Sequence, residues 1–166
     1  MQQPPMTIKA KAKFRMMDLL AQRDHSEKEL RQKLRNYLRP KKTRYKPLPS
    51  EEKIAEIMEQ VVEAINEAIE YAKTHNWLAP PEKVSNSFGN SLHRRKKGIH
   101  YINQYLAQKG LPPIAVDSEL AAQKAQELLN RKYPDVQTQP REIKAKAMRF
   151  LASRGFSMEV IRQLIK

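Results

Sequence analysis

The stretch LASRGFSMEVIRQLI, Leu151 to Ile165, holds five residues at a spacing that recurs elsewhere: Leu151, Arg154, Ser157, Ile161 and Ile165. Leu20, Arg23, Ser26, Leu30 and Leu34 repeat it position for position, and so do Leu92, Arg95, Gly98, Ile102 and Leu106. Each copy reads as a joint between two helices. The leucine closes one helix on the core, and Ser or Gly caps the next. The two aliphatic residues, four apart, form the buried stripe of that next helix. The arginine falls at the C-terminal end of the first helix, where a cation complements the dipole. Capping and burial alone could write this pattern once into any helical hairpin. Three copies in 166 residues point instead to tandem helical units. Such arrays present long surfaces rather than one deep pocket.

Working outward from these joints, helix signals fill the chain and alternation never persists long enough for a strand. Thr7 caps a helix to about Gln22, with Ile8, Phe14, Met17 and Leu20 among its apolar positions. Ser26 caps a second, and Glu29 completes a capping box. Its stripe of Leu30, Leu34 and Leu38 ends at Pro40. After a basic, proline-punctuated connection, Ser50 opens a long helix to about His75. Its single buried face reads Ile54, Ile57, Met58, Val61, Val62, Ile65, Ala68, Ile69 and Ala72. Further helices are predicted from about Pro80 to Arg94, Ile99 to Lys109, Asp117 or Ser118 to Tyr133, Pro140 to Ser153, and Ser157 onward. The class is all-α.

Composition narrows the function. Hydrophobic residues make up 40% and charged residues 30%. With a mean hydropathy of −0.77, the fold must be thin, with much surface for its mass. Lys and Arg number 32 against 18 Asp and Glu, a formal charge of +14 that favours nucleic acid or an acidic protein surface as partner. The chain has no cysteine, which excludes disulfides, zinc ribbons and a thiol nucleophile. Basic residues near the start lack the apolar stretch of a signal peptide. No run of apolar residues is long enough for a membrane span. A soluble, cytoplasmic protein is expected, acting as a monomer and away from membranes.

Four segments carry a family resemblance: DLLAQRDHSEKELRQKL (18–34), YLAQKGL (105–111), LLNRKYPD (128–135) and MRFLASRGFSMEVIRQLI (148–165). Together they resemble the RecX family, bacterial modulators of the RecA recombinase, from about Phe14 to the C-terminus. The resemblance implies an elongated, curved array of tandem three-helix repeats. It also implies binding to the RecA–DNA filament, in its groove or at its end, to limit filament growth, ATPase, strand exchange and co-protease activity. The units are drawn as 1–75, with a basic linker at about 39–49, then 76–135, then 136–166, in which only two helices are read. Ala79, Pro80 and Pro81 stand where the family usually has a pair of acids. Lys96 and Lys97 stand where it tends toward a glycine and an aromatic.

The basic residues are clustered. From Arg31 to Lys46 there are eight and no acid, with Tyr37 and Tyr45 interleaved, which suits phosphate contact with some base stacking. Candidate contacts to the partner or to single-stranded or duplex DNA are Arg23, Lys28, Arg31, Lys33, Arg35, Arg39, Lys41, Lys42 and Arg44. In the second joint they are Arg94, Arg95, Lys96 and Lys97, followed by Arg131 and Lys132, and by Arg154 in the opening stretch. Each has a plainer reading as solvated helix surface, and Arg154 as dipole compensation at a helix end. The long helix is acidic, with Glu51, Glu52, Glu56, Glu59, Glu63, Glu67 and Glu70. That polarity could orient the protein along a charged filament or support helix pairing through neighbouring lysines.

Catalytic, cofactor and metal sites are not expected. His25, His75, His93 and His100 have no metal-site spacing, and four glycines build no phosphate-cradling loop. His25 reads as a turn residue, Trp77 as a core plug, and Met6, Met16, Met17, Met58, Met148 and Met158 as packing. The second functional reading is a direct helix-turn-helix DNA-binding protein, with Arg162 and Gln163 on the last helix facing bases.

Overall fold

The computed structural model describes residues 6–166. Among them are eight α-helices and one 3-10 turn at Val136–Thr138, and no strand. The helices are α1 Ile8–Gln22, α2 Glu27–Leu38, α3 Glu51–Thr74, α4 Pro81–Arg94, α5 Ile99–Gln108, α6 Ser118–Lys132, α7 Arg141–Ser153 and α8 Met158–Leu164. They fall into two compact units, one closing at Pro80 and the other running from Pro81 to Lys166.

Capping explains where the helices start. The Thr7 hydroxyl accepts from the Ala10 amide at 3.2 Å, Ser26 from Glu29 at 3.1 Å, Ser50 from Lys53 at 3.4 Å and Ser157 from Val160 at 3.3 Å. Asp117 caps α6 through the Glu119 amide at 2.9 Å. Pro81 is the first residue of α4, where its missing N–H and fixed φ cost nothing.

The ends of α3, α4, α5 and α7 share one device. In each, the amide two residues past the helix cap reaches back to a carbonyl five positions earlier: Trp77 to Ala72, Lys97 to Leu92, Leu111 to Leu106 and Phe156 to Leu151. The residue before that amide is left-handed: Asn76 (φ 55°), Lys96 (55°), Gly110 (68°) and Gly155 (85°). The recurring leucine of the second and third joints is thus the carbonyl acceptor that closes its helix. The first joint differs, because Arg23 caps α1 in extended conformation.

In the first unit, Ala12, Met16 and Leu19 of α1 meet Leu30 and Leu34 of α2 and Val61, Ala64, Ile65, Ala68, Ile69 and Ala72 of α3. Two stripes predicted from sequence shift here. On α1 the core positions are 12, 16 and 19, so Phe14, two residues round the helix, is 59% exposed, and Met17 is exposed as well. On α3, Val62 is exposed while Ala64 takes a core position. The methionines divide likewise: Met16 is buried, Met58 and Met148 pack on the cores, and Met6, Met17 and Met158 are exposed. Trp77 is no core plug. It is 37% exposed and lies edge-on to Tyr71 at 5.3 Å, while its neighbour Leu78 packs on the core.

In the second unit, α4 and α5 form a pair that buries Val84, Ile102 and Leu106. The loop that follows is pinned to it: the Ser85 hydroxyl donates to the Pro112 carbonyl at 2.8 Å, and the Asn103 amide clasps Ile114 at both polar atoms. Residues Ala121, Ala125, Leu128 and Leu129 of α6 share a core with Val136, Ala147, Leu151, Phe156, Val160, Ile161 and Ile165. Thus α6, grouped with the middle segment by sequence alone, packs with α7 and α8 in a three-helix unit. In all three joints the aliphatic pair is buried.

Two joints touch each other. The Gly98 amide donates to the Arg154 carbonyl at 2.8 Å, and the His100 amide to the Gly155 carbonyl at 3.1 Å. A Cβ on Gly98 would lie 2.3 Å from the Gly155 carbonyl and the Phe156 amide nitrogen. One on Gly155 would lie 2.4 Å from the Tyr101 nitrogen. The second joint therefore has glycine where the other two have serine.

Candidate partner and nucleic-acid interface

The basic residues sort by whether a carboxylate has claimed them. In the first joint, Arg23 reaches the buried Glu29 at 2.7 Å, and Lys33 contacts the same carboxylate at 3.6 Å. The His25 ring is buried: Nδ1 faces the Arg23 carbonyl at 2.8 Å, and Nε2 faces the Lys33 ammonium at 2.9 Å. Those partners assign the proton to Nδ1, and burial holds the imidazole below its ordinary value. Arg31 is held by Glu27 at 2.8 Å and by Asn66 at 2.6 Å. Burial works against the Glu27 carboxylate, but hydrogen bonds from Arg31 and Lys73 outweigh it and keep the group below its usual range. Arg23, Arg31 and Lys33 therefore tie α2 to the rest of its unit, whereas Lys28 is exposed.

From Arg35 onward the pattern changes. Arg35, Arg39, Lys41, Lys42, Arg44 and Lys46 are exposed and meet no carboxylate among the described residues. Arg35 stands on the rim of a cleft between α2 and α3 that is floored by Val62 and Ile65. Tyr45 is 87% exposed in the same segment, and the Arg15 guanidinium lies 5.3 Å from the Tyr37 ring. The acids of α3 are partly neutralised from within their own unit. Lys9 bridges Glu63 and Glu67, while Lys73 joins Glu70 to Glu27.

In the second unit, Lys96 pairs with Glu127 at 2.7 Å, and its ammonium holds that carboxyl below the usual range. Arg94 turns back to the Asn90 carbonyl, and Arg95 is exposed. The Lys97 ammonium sits 4.0 Å from the Tyr101 ring. Lys132 and Arg154, far apart in sequence, converge on one ring, with Lys132 at 4.1 Å and Arg154 at 5.5 Å from the Phe150 centroid. Arg131 is exposed beside them in sequence. Arg141, Lys146 and Arg149 are also exposed on α7, where they stand singly and form no run of charge in the sequence. Arg162 and Gln163 are exposed on α8, a helix of seven residues.

No group of three His, Asp or Glu residues that could hold a metal ion occurs among the described residues. No described helix is long and apolar enough to cross a membrane. The fold defines a tandem helical-repeat protein, with exposed cationic residues in its turns and in the linker after α2. Residues 119–165 match the family model described as RecX, third three-helix domain, which spans α6, α7 and α8. A protein named Regulatory protein RecX from Serratia proteamaculans (strain 568) is 33% identical over 166 aligned positions, covering 92% of this chain and 94% of that one. Its namesake from Yersinia enterocolitica is 31% identical, with coverages of 90% and 93%. A crystal structure of regulatory protein RecX superposes with a TM-score of 0.62 at 21% identity, over 95% of this chain and 72% of that one. The crystal structure of RecX from Lactobacillus salivarius gives 0.58 at 20% identity, with coverages of 95% and 94%. The chain belongs to the RecX family of regulatory proteins.

Proposed function

We propose that this chain is a negative modulator of a RecA-type recombinase. In this reading it binds the recombinase–DNA filament, in its groove or at its end, and limits filament growth, ATPase, strand exchange and co-protease activity in the cytoplasm. Family membership supports the regulatory role. The observation that carries the mode of action is the tract from Arg35 to Lys46, whose cations are exposed and unclaimed while those just before it are locked to Glu27 and Glu29. Charges left free in an otherwise well-paired unit are available to an anionic partner. A surface of this kind works by binding and calls for no reaction chemistry of its own.

The test is the single-stranded-DNA-dependent ATPase of a RecA-type recombinase, with the chain added well below one per recombinase monomer. Inhibition is expected. Reversing Arg35, Arg39, Lys41 and Lys42 to Glu weakens it while helicity is unchanged. Absence of inhibition, together with tight and sequence-specific duplex binding, overturns the proposal in favour of a helix-turn-helix DNA-binding protein. Unchanged inhibition in the reversed variant overturns the assignment of the tract.

A further inference from the structure

We propose that the connection between α2 and α3 is a processing site for an endopeptidase with an acidic specificity pocket. The cut falls after Lys41, Lys42 or Arg44, and the first unit stays folded once cut. The step is hydrolysis: water adds across one peptide bond, leaving a carboxylate on the basic residue and an amine on the next. The inference does not depend on the recombinase reading.

Three observations combine. The first is access. Residues 39–50 form neither helix nor strand, and every residue from Lys41 to Ser50 is exposed. An endopeptidase takes its substrate as an extended strand, so most of a folded chain is closed to it. In this linker only the turn from Thr43 to Lys46 has to open first. It is closed by the Thr43 amide on the Lys46 carbonyl at 3.0 Å and by the Lys46 amide on the Thr43 hydroxyl at 3.1 Å. Both bonds lie at the surface, where water replaces them readily. The other basic clusters are held more firmly. Arg131 and Lys132 lie within α6, Lys96 pairs with Glu127, and the Arg154 carbonyl accepts from the Gly98 amide.

The second is the residue pattern. Lys41, Lys42, Arg44 and Lys46 meet no carboxylate among the described residues, so each side chain is free to enter an acidic pocket. Two prolines frame the window: Pro40 follows Arg39, and Pro47 follows Lys46. A proline ring on the leaving nitrogen blocks cleavage of those two bonds, because the ring crowds the position a free N–H would occupy. The bonds after Lys41, Lys42 and Arg44 remain. The third is what holds the two sides together. Met16 and Leu19 of α1 and Leu30 and Leu34 of α2 share a core with Val61 and Ile69 of α3. Lys9 bridges Glu63 and Glu67, Arg31 reaches Asn66, and Lys73 reaches Glu27, all across the cut. Cutting therefore turns a tethered cationic tract into two free ends without dismantling the helices that carry it.

The experiment digests the full chain with a small amount of trypsin, whose pocket has the required charge, and reads the first cut by intact mass spectrometry. That cut should fall after Lys41, Lys42 or Arg44. The two fragments should elute together in gel filtration and keep the helicity of the parent in circular dichroism. Changing Lys41, Lys42 and Arg44 together to Gln should slow the loss of intact chain by about tenfold or more, since the remaining sites open only through local unfolding. Pro47→Ala should add a cut after Lys46. In the cut chain the two sides associate bimolecularly, so about tenfold dilution should lower its urea midpoint and leave that of the intact chain unmoved. In the native cells, the chain tagged at both ends should yield a fragment pair with these termini, and the triple variant should not.

A first trypsin cut outside the window overturns the proposal, because the linker is then no more open than the joints. Separation of the fragments, or loss of helicity on cutting, overturns it too, since the first unit would not survive processing. So does the absence of the fragment pair in cells, whatever trypsin does to the purified chain.

Discussion

Gly98→Ser is the sharpest test of how the joints are built. Serine occupies this position in the other two copies, and as an N-cap it is better than glycine by a few tenths of a kcal/mol. Judged by the repeat alone, the substitution should stabilise. The structure reverses the sign. A Cβ at residue 98 would sit 2.3 Å from the Gly155 carbonyl group and the Phe156 amide nitrogen, all backbone atoms that cannot swing aside. Separating the joints would break the Gly98–Arg154 and His100–Gly155 hydrogen bonds, each worth about 1 kcal/mol. Overpacking where they stay partly engaged adds about 1 to 3 kcal/mol. The net expectation is a loss of about 3 kcal/mol. Urea unfolding followed by circular dichroism reads the stability, and native-state hydrogen exchange at the Gly98 and His100 amides reads the joint itself. Ser157→Gly, the reverse exchange in the third copy, should cost only about a few tenths of a kcal/mol. A Gly98→Ser protein as stable as the parent, with both amides still protected, would refute the reasoning.

Three further outcomes follow from local geometry. Lys96 holds a left-handed φ of 55° with a full side chain, a strain of about 1 to 2 kcal/mol. Lys96→Gly should therefore unfold at a urea midpoint at or above the parent's, and Lys96→Ala, which keeps the strain and loses Glu127, clearly below it. On α1, Met16→Ala should cost about 2 to 5 kcal/mol. Phe14→Ala should stay within about 0.5 kcal/mol, an ordering that the hydrophobicity of the sequence alone would invert. For His25, burial depresses the folded imidazole below its ordinary value of 6.5, so the unfolded chain takes up the proton first. Its stability contribution is full above 6.5 and is lost as pH falls from there through the folded value. His25→Gln should flatten the urea-midpoint profile across that window, and a profile as steep as the parent's would show that His25 is not the group responsible.

Helix positions were legible in the sequence because their causes are local. Ser26, Ser50, Asp117 and Ser157 cap the amides two or three residues ahead, and Gly110 and Gly155 end helices through their own backbone freedom. What was hidden depends on neighbours remote in the chain. Whether residue 12 or residue 14 of α1 faces inward is decided by where α3 lies, and both faces of α1 carry apolar residues. Ala12 gives a weak signal by hydrophobicity, yet its small size suits the close helix contact there. Likewise α6 has the right periodicity from sequence, but its packing with α7 and α8 appears only in the shared core.

The basic surface shows the same division more sharply. Arg31 and Arg35 are alike in sequence: two arginines one helical turn apart in a run without acids. Glu27 and Asn66 hold the first, and nothing acidic meets the second. Counting charge therefore overstates the free tract at its N-terminal end and says nothing of Lys132 and Arg154, which become neighbours only through Phe150. The second joint shows why the pattern still carries information. Its serine-to-glycine exchange is a departure that capping alone would disfavour, and the backbone contact with Gly155 requires it. A deviation within a repeat is thus the place to look for contact between its copies, and in this chain that contact sets the turn at Gly98 directly against the backbone of Arg154 and Gly155.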